Sequence, residues 1–274
     1  MKNRIIYGAA LIALMLACVF LSPVTRVLFF AAAGCLCAWE YSKQMEKLGL
    51  ACSLSVLFFY LLLQAVLVLL NQGSSAYGAL FVGAVYLAML SGILRRRVSG
   101  NGAIDTVAGL AYPCLLFGAI MAISVSGIWL ETLTIACLAT WSCDNGAFMG
   151  GSRFGKHKLA PAISPNKTVE GAVIGALSSI LVGVLVYYLG IWCANIAWLG
   201  SLYTPVPFWP CVVTSFAAST MGQIGDLAES LIKRMIGVKD FSNLIPGHGG
   251  MFDRADSLLF SIPTAYFCLR LAGL

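Results

Sequence analysis

The stretch SLIKRMIGVKDFSNLIPGHGGMFDRAD, residues 230–256, is a strongly charged segment in an otherwise apolar chain. It holds three Asp, two Arg, two Lys and one His, although charged residues make up only 10% of the 274 residues. With 60% hydrophobic residues and a mean hydropathy of +0.90, the composition is typical of a polytopic membrane protein. Only α-helices and closed β-barrels can span a lipid bilayer, and the apolar runs of this sequence are too long to be barrel strands. The sequence therefore predicts an all-α membrane protein that presents this segment to water.

Nine apolar runs, each near the ~20 residues that a spanning helix needs, follow one another along the chain. They cover residues 5–22, 24–40, 51–71, 76–94, 104–125, 130–149, 169–192, 209–229 and 257–273. With the N-terminus inside, 15 of the 17 Lys and Arg residues fall on the cytoplasmic side, as the positive-inside rule expects. We therefore predict about nine transmembrane helices, a cytoplasmic N-terminus and a C-terminus outside. The same rule explains the net charge of +6, so we expect no nucleic-acid partner.

Polar residues are unevenly distributed along the chain. The spans before residue 98 carry few of them, whereas later spans and their cytoplasmic loops carry most. We interpret residues 1–274 as a single membrane domain, in which residues 1–98 form an apolar frame and residues 99–274 hold the catalytic helices and loops.

The eighth span and its extension, from Pro210 to about Met235, would form roughly 39 Å of helix, longer than the ~30 Å hydrocarbon core. Asp226 would then lie near the cytoplasmic edge, where Ser230 and Lys233 share its helical face and Glu229 widens it. Ionisable residues at membrane depth are functional candidates by default. An ion pair with a nearby lysine would account for the presence of Asp226 or of Glu229 alone. It does not account well for a helical face on which all of these polar residues lie together.

Two further segments carry polar groups that suit a cation and an anion. Asp253 and Asp256 follow the glycine-rich residues 246–250 and, with Asp226, form a carboxylate set suited to Mg²⁺. Their position before a span also fits a role as helix N-cap or dipole partners. Residues 144–171 form a basic Gly/Pro loop that ends at a helix N-terminus, which with Lys167 predicts an anion site.

These motifs resemble those of the phosphatidate cytidylyltransferases, the CDP-diacylglycerol synthases. The resemblance rests on Ser230-x-Ile232-Lys233-Arg234, Lys239-Asp240 and His248-Gly249-Gly250-x-x-Asp253-Arg254-x-Asp256, and on Ser164-Pro165-x-Lys167-Thr168-x-Glu170-Gly171. It covers the C-terminal half most closely, and Ala255 departs from the larger residue that is usual in the family. It implies transfer of CMP from CTP to phosphatidic acid in phospholipid biosynthesis, at the cytoplasmic face of a bacterial-type cytoplasmic membrane.

The resemblance and the helical geometry together assign roles to the site residues. The catalytic set is Asp226, Lys233, Asp253 and Asp256, and the metal ligands are Asp226, Asp253 and Asp256, with Glu229 a weaker candidate. The resemblance implies Mg²⁺ as the cofactor, with a second cation such as K⁺ as an addition. The partners expected are CTP, phosphatidic acid and membrane lipids, and we carry a homodimer as one arrangement. The substrate-binding candidates are Asp144, Ser164, Lys167, Ser230, Arg234, Lys239, His248, Gly249, Gly250 and Arg254.

Two other functions remain open at this point. A CTP-dependent lipid (polyprenol) kinase would share the nucleotide and the lipid partner but release CDP instead of pyrophosphate. A membrane transporter would also bury acidic residues, but it needs polar groups near the midplane and access to both sides.

Overall fold

The computed structural model describes residues 17–95, 100–196, 203–244 and 249–274, which are predominantly helical. The chain divides into two compact units. Unit 1 consists of Met1–Val125 with Met235–Arg254, and unit 2 consists of Ser126–Arg234 with Ala255–Leu274. His248 and most of the predicted span 5–22 lie outside the described residues.

Unit 1 is built from apolar helices, the first of which has a clear local start signal. In this first helix, which begins at Pro23, Ser22 and Thr25 form a reciprocal capping box: the backbone N–H of each residue donates to the side-chain hydroxyl of the other. The two hydroxyls thereby satisfy N–H groups that have no partner within the helix. The core of the unit includes Tyr60, Leu61 and Met121. The helices are α1 Pro23–Lys47, α2 Leu54–Leu69, α3 Ser74–Leu94, α4 Ala103–Gly109 and α5 Leu115–Ser124.

A π-helical turn, Leu110–Cys114, joins α4 to α5 and contains Pro113. Proline lacks the N–H that an α-helix would use there, and a π turn accommodates this loss. Just before the turn, Gly109 lets α1 approach, because a Cβ would lie 2.8 Å from the ring of Tyr41.

Unit 2 combines long helices with a small β-hairpin. Its elements are α6 Trp129–Phe154, β1 Lys158–Ala160, β2 Ser164–Thr168, α7 Val169–Ala194, most of α8 Phe208–Ile236, and α9 Phe252–Leu271 from residue 255 onward. The Thr168 hydroxyl caps α7 by accepting from the N–H of Gly171 at 3.1 Å. A hydrophobic core includes Ile135, Val186 and Leu269.

The hairpin corrects the all-α prediction. We expected residues 158–168 to be part of an irregular loop, but β1 and β2 pair antiparallel, with Lys158 opposite Thr168 and Ala160 opposite Ser164. Pairing satisfies backbone groups that a loop would leave to water. The sequence hides it because Pro161 and Pro165 interrupt any alternating pattern.

Helices occupy the apolar runs from residue 24 onward, with boundaries within a few residues of the prediction at most ends. Among the described residues, four helical segments are long and apolar enough to cross a membrane: Pro23–Lys47, Ser74–Leu94, Ala103–Ser124 and Val169–Ala194. The count of nine spans and the sides of the two termini stay predictions.

Candidate active site

A salt bridge between Lys167 and Asp226 joins the hairpin to α8 within unit 2. Lys167 is the penultimate residue of β2, and its ammonium donates to Oδ2 of Asp226. One turn further along α8, the Ser230 hydroxyl donates to Asp226 Oδ1 at 3.4 Å. The predicted anion-binding segment and the predicted polar face of α8 therefore meet at Asp226.

Three carboxylates form a cluster where α8 faces the first turns of α9. Asp226, Glu229 and Asp256 each contribute an oxygen, and these atoms lie within 4.8 Å of one another. Gly225 allows this approach, because a Cβ there would lie 2.6 Å from the carbonyl oxygen of Asp256 and 2.9 Å from the Phe260 ring. Small residues serve the same purpose at many membrane helix contacts.

Glu229 is the most deeply buried member of the carboxylate cluster. Its side chain is 0% exposed, and the ammonium of Lys233, one turn later, lies 2.5 Å from Oε2. A buried carboxylate requires such compensation. Lysine pairs of this kind were an alternative explanation for the acids on α8, and the structure contains them for both Asp226 and Glu229. They coexist with the cluster because a carboxylate accepts several bonds.

The electrostatics of Asp256 reflect its crowded surroundings. Burial, followed by repulsion from Asp226, raises the pKa of the Asp256 carboxyl to about 7, against the lowering effects of the Ser257 N–H and Lys233. A divalent cation relieves such repulsion, and a set of carboxylate oxygens without thiolates suits a hard cation. The residues present therefore fit a divalent metal ion.

A cavity of about 530 Å³ lies within unit 2 beside the Lys167–Asp226 pair. Its volume falls in the range of small-molecule sites. Glycines on α6 and α7 permit the close helix packing behind it, since a Cβ on Gly171 would lie 2.7 Å from the Ala147 carbonyl. Its polar lining consists of Asp144, Ser152, Lys158, Asn166, Lys167, Thr168, Gln223 and Asp226.

Five polar residues that line this cavity were not among our site candidates: Ser152, Lys158, Asn166, Thr168 and Gln223. Glu170, on the first turn of α7, was not a candidate either. Gln223 lines the cavity three residues before Asp226 and donates to the Ala172 carbonyl at 3.2 Å. Glu170 accepts the backbone N–H groups of Lys156 and His157 at 3.1 and 3.2 Å, which orders the turn before β1. Glu170 was visible as part of the quoted motif, whereas Gln223 had no signal beyond being polar in a small-residue stretch.

The remaining candidates of unit 2 lie at the hairpin and the end of α8. Ser164 pairs with Ala160 in the strand register, three residues before Lys167. Arg234 is exposed, and its Nε donates to the carbonyl of Ile163 at 3.1 Å. Arg234 therefore anchors the hairpin turn to α8.

The other candidates belong to unit 1, apart from His248, which lies outside the described residues. Lys239 and Arg254 are exposed. Gly249 has φ +82°, a conformation that favours glycine. Asp253 Oδ2 accepts the N–H of Phe241 at 3.1 Å and that of Gly250 at 2.8 Å. Asp253 thus orders the segment before α9, and its role as a metal ligand stays a prediction.

These features describe a helical protein that has helices long and apolar enough to cross a membrane and a site that fits anions and a cation. Comparison with known proteins agrees with this description. A match to the cytidylyltransferase family extends over residues 2–272. The phosphatidate cytidylyltransferase of Bacillus subtilis (strain 168) is 33% identical over 282 residues, covering 99% of this chain and 98% of the relative. Those of Staphylococcus haemolyticus and Staphylococcus saprophyticus are 40% and 42% identical over 134 and 135 residues, each about half of either chain. The chain belongs to the cytidylyltransferase family.

Proposed function

We propose that the chain transfers the cytidylyl group of CTP to phosphatidic acid, which forms CDP-diacylglycerol for phospholipid biosynthesis and releases pyrophosphate. The observation that carries this proposal is the carboxylate cluster placed beside a lysine-bearing cavity in unit 2. The relative that matches nearly all of this chain and those that match about half of it are named phosphatidate cytidylyltransferases.

Mg²⁺ is the cofactor of this proposal. Asp226, Asp253 and Asp256 are its proposed ligands, and Glu229 joins them because the structure places it with Asp226 and Asp256. A second cation such as K⁺ completes the proposed set. When bound, the metal would offset negative charge on the phosphates and polarise the reacting phosphoryl group.

The residues of the chain bind and align two anionic substrates. A phosphate monoester has a second pKa near ~6, so the phosphate of phosphatidic acid is largely deprotonated at neutral pH and needs no general base. One of its oxygens attacks the α-phosphorus of CTP. The bond between the α-phosphorus and the oxygen that bridges the α- and β-phosphates breaks. The electron pair of this bond leaves with pyrophosphate.

Lysines and arginines reduce the repulsion between the two substrates. Lys167 is the proposed contact to the triphosphate, because it lies at the cavity and beside the carboxylate cluster. Lys233 balances Glu229 and is a proposed phosphate contact as well. The other proposed substrate contacts are Asp144, Ser164, Ser230, Arg234, Lys239, His248, Gly249, Gly250 and Arg254.

The proposed location is the bacterial cytoplasmic membrane, with the site facing the cytoplasm. The apolar helices support a membrane location, and the concentration of basic residues in loops on one side supports the orientation. The chain would act on a lipid of the membrane and on soluble CTP. In this proposal it forms a single membrane domain, which acts alone or as a homodimer.

The reaction is tested with the purified full chain in detergent, phosphatidic acid, Mg²⁺ and CTP labelled on either the α- or the γ-phosphate. We expect the α-label in the lipid phase and the γ-label in pyrophosphate. Label from the γ-phosphate in the lipid would instead assign a lipid kinase. Absence of lipid label with either labelled CTP would overturn the proposed transfer to phosphatidic acid.

A further inference from the structure

Glu40 is a buried acid in the part of the chain that we interpreted as an apolar frame. It lies on α1 in unit 1 and is 1% exposed. Its Oε1 accepts the hydroxyl of Ser242 at 2.5 Å and the N–H of Met251 at 2.9 Å. Its Oε2 accepts the N–H of Phe252 at 2.8 Å. The proposed chemistry has no use for this carboxylate, yet among the described residues all of its hydrogen bonds reach the charged segment 230–256.

A second residue of α1 holds the other end of the same segment. Gln44, one turn after Glu40 and also buried, donates to the carbonyl of Phe241. The N–H of Phe241 in turn donates to Asp253, and the rings of Phe241 and Phe252 lie 4.6 Å apart. Helix α1 therefore binds residues before and after the stretch 245–248.

The fit between Glu40 and Gly250 is especially close. A Cβ on residue 250 would lie 2.6 and 2.7 Å from the two carboxylate oxygens of Glu40. Glycine at this position therefore leaves the space that Glu40 fills, which gives a reason for Gly250 besides the approach of a ligand. Since Met251 directly precedes α9 and Phe252 is its first residue, Glu40 also supplies an anion where a helix N-terminus favours one.

We infer that Glu40 is a positioning residue for the transfer reaction: its carboxylate fixes the backbone of residues 249–252 and thereby aligns Asp253 and Arg254. The inference rests on the proposed function of those two residues. Glu40 itself touches neither substrate, because its oxygens are engaged by Ser242, Met251 and Phe252.

The test variant is Glu40→Gln in the full-length chain. Glutamine keeps the shape but turns one oxygen into an N–H₂ donor, which would face a backbone N–H or the Ser242 hydroxyl. We expect kcat to fall about 10- to 100-fold, because small displacements of reacting groups are costly. We expect KM for CTP to change by less than about threefold, since mainly transition-state alignment is lost. The Mg²⁺ concentration for half-maximal rate should also rise.

The matched control is Glu46→Gln, an acid on the same helix whose side chain is 68% exposed and pairs with Lys43. It should keep kcat within about twofold of the wild type, as surface ion pairs contribute little. A second variant, Ser242→Ala, removes one donor and keeps Glu40, so it tests the contact even if Glu40→Gln folds poorly. We expect Ser242→Ala to lower kcat less than Glu40→Gln does.

Hydrogen exchange supplies a readout that does not depend on activity. The amides of Met251 and Phe252 should exchange faster in Glu40→Gln than in Glu46→Gln. An active wild type with unchanged kcat and Mg²⁺ dependence in both Glu40→Gln and Ser242→Ala would overturn the inference. Equal exchange at these amides would overturn it as well. An inactive wild type would instead count against the proposed function, and the exchange comparison would still decide whether Glu40 holds the segment.

Discussion

Asp226 connects more parts of the candidate site in unit 2 than any other residue that we predicted there. It pairs with Lys167 from the hairpin, accepts from Ser230 on its own helix, and belongs to the carboxylate cluster with Glu229 and Asp256. Its geometry therefore couples the proposed metal site to the cavity.

Asp226→Asn should lower kcat/KM for Mg²⁺-dependent transfer by about 100-fold or more. A metal ion contributes several kcal/mol of charge stabilisation, and each ~1.4 kcal/mol is tenfold in rate. The measurement is label transfer across a Mg²⁺ titration, with thermal unfolding as a check that the variant is folded. Activity within about twofold of the wild type would remove Asp226 from the proposed ligands.

Lys167→Gln should lower kcat/KM by about 10- to 100-fold, because a charged donor next to the reacting phosphates is lost. Lys156→Gln is the matched control, since Lys156 is an exposed lysine before the same hairpin. We expect the control to stay within about twofold. Similar losses in both variants would mean that general positive charge, and not the position of Lys167, supports the reaction.

Two glutamates show where reasoning from single residues stops. Glu229 ranked below Asp226 because its helical position alone only widened the polar face, and its membership of the cluster depends on packing with α9. Glu40 had no local signal, since an acid at the end of an apolar run does not indicate partners 202 to 212 residues away in the chain. Contacts of that sequence separation are created by the fold and have no local pattern.

At the scale of elements, helix α8 was the most predictable part of the fold. Its apolar run, small residues and charged extension predicted a helix beyond the membrane core, and α8 extends over Phe208–Ile236. The hairpin was not predictable, because strands of three and five residues with prolines lack alternation. The pairing of the two strands places Lys167 beside Asp226. The hairpin, which the sequence did not predict, therefore brings two candidate site residues together.

The approach of α8 to α9 can be tested at Gly225. Gly225→Ala should destabilise the protein by about 1–3 kcal/mol, because its methyl group would meet the Asp256 carbonyl and the Phe260 ring. It should also lower activity by displacing Asp256. The measurement is thermal unfolding in detergent together with the transfer assay.

Gly78→Ala provides the comparison for this prediction. Gly78 is also within a helix, but a Cβ there would meet no atom of the described residues within 4 Å. Alanine favours helix over glycine by up to ~1 kcal/mol, so this variant should be neutral or slightly more stable. Equal effects of the two substitutions would contradict the close packing at Gly225.

At the scale of the whole molecule, the distribution of charge supports a prediction about orientation. Placing the N-terminus inside puts 15 of 17 Lys and Arg residues on the cytoplasmic side. Changing the number of spans by one would reverse every later loop and destroy this bias. The charge pattern therefore constrains the count of nine more strongly than the length of any single apolar run does.

The predicted orientation is measured by fusing a reporter that is active only outside the cytoplasm to successive positions of the chain. Fusions after Leu274 and after Gln72 should be active, whereas fusions after Lys47 and after Lys158 should be inactive. The Lys158 fusion is the critical one, because it reports the hairpin beside the cavity. An active reporter there would place the hairpin away from cytoplasmic CTP and contradict both the topology and the proposed reaction. An inactive reporter after Leu274 would contradict only the odd number of spans, since the site itself would keep access to the nucleotide.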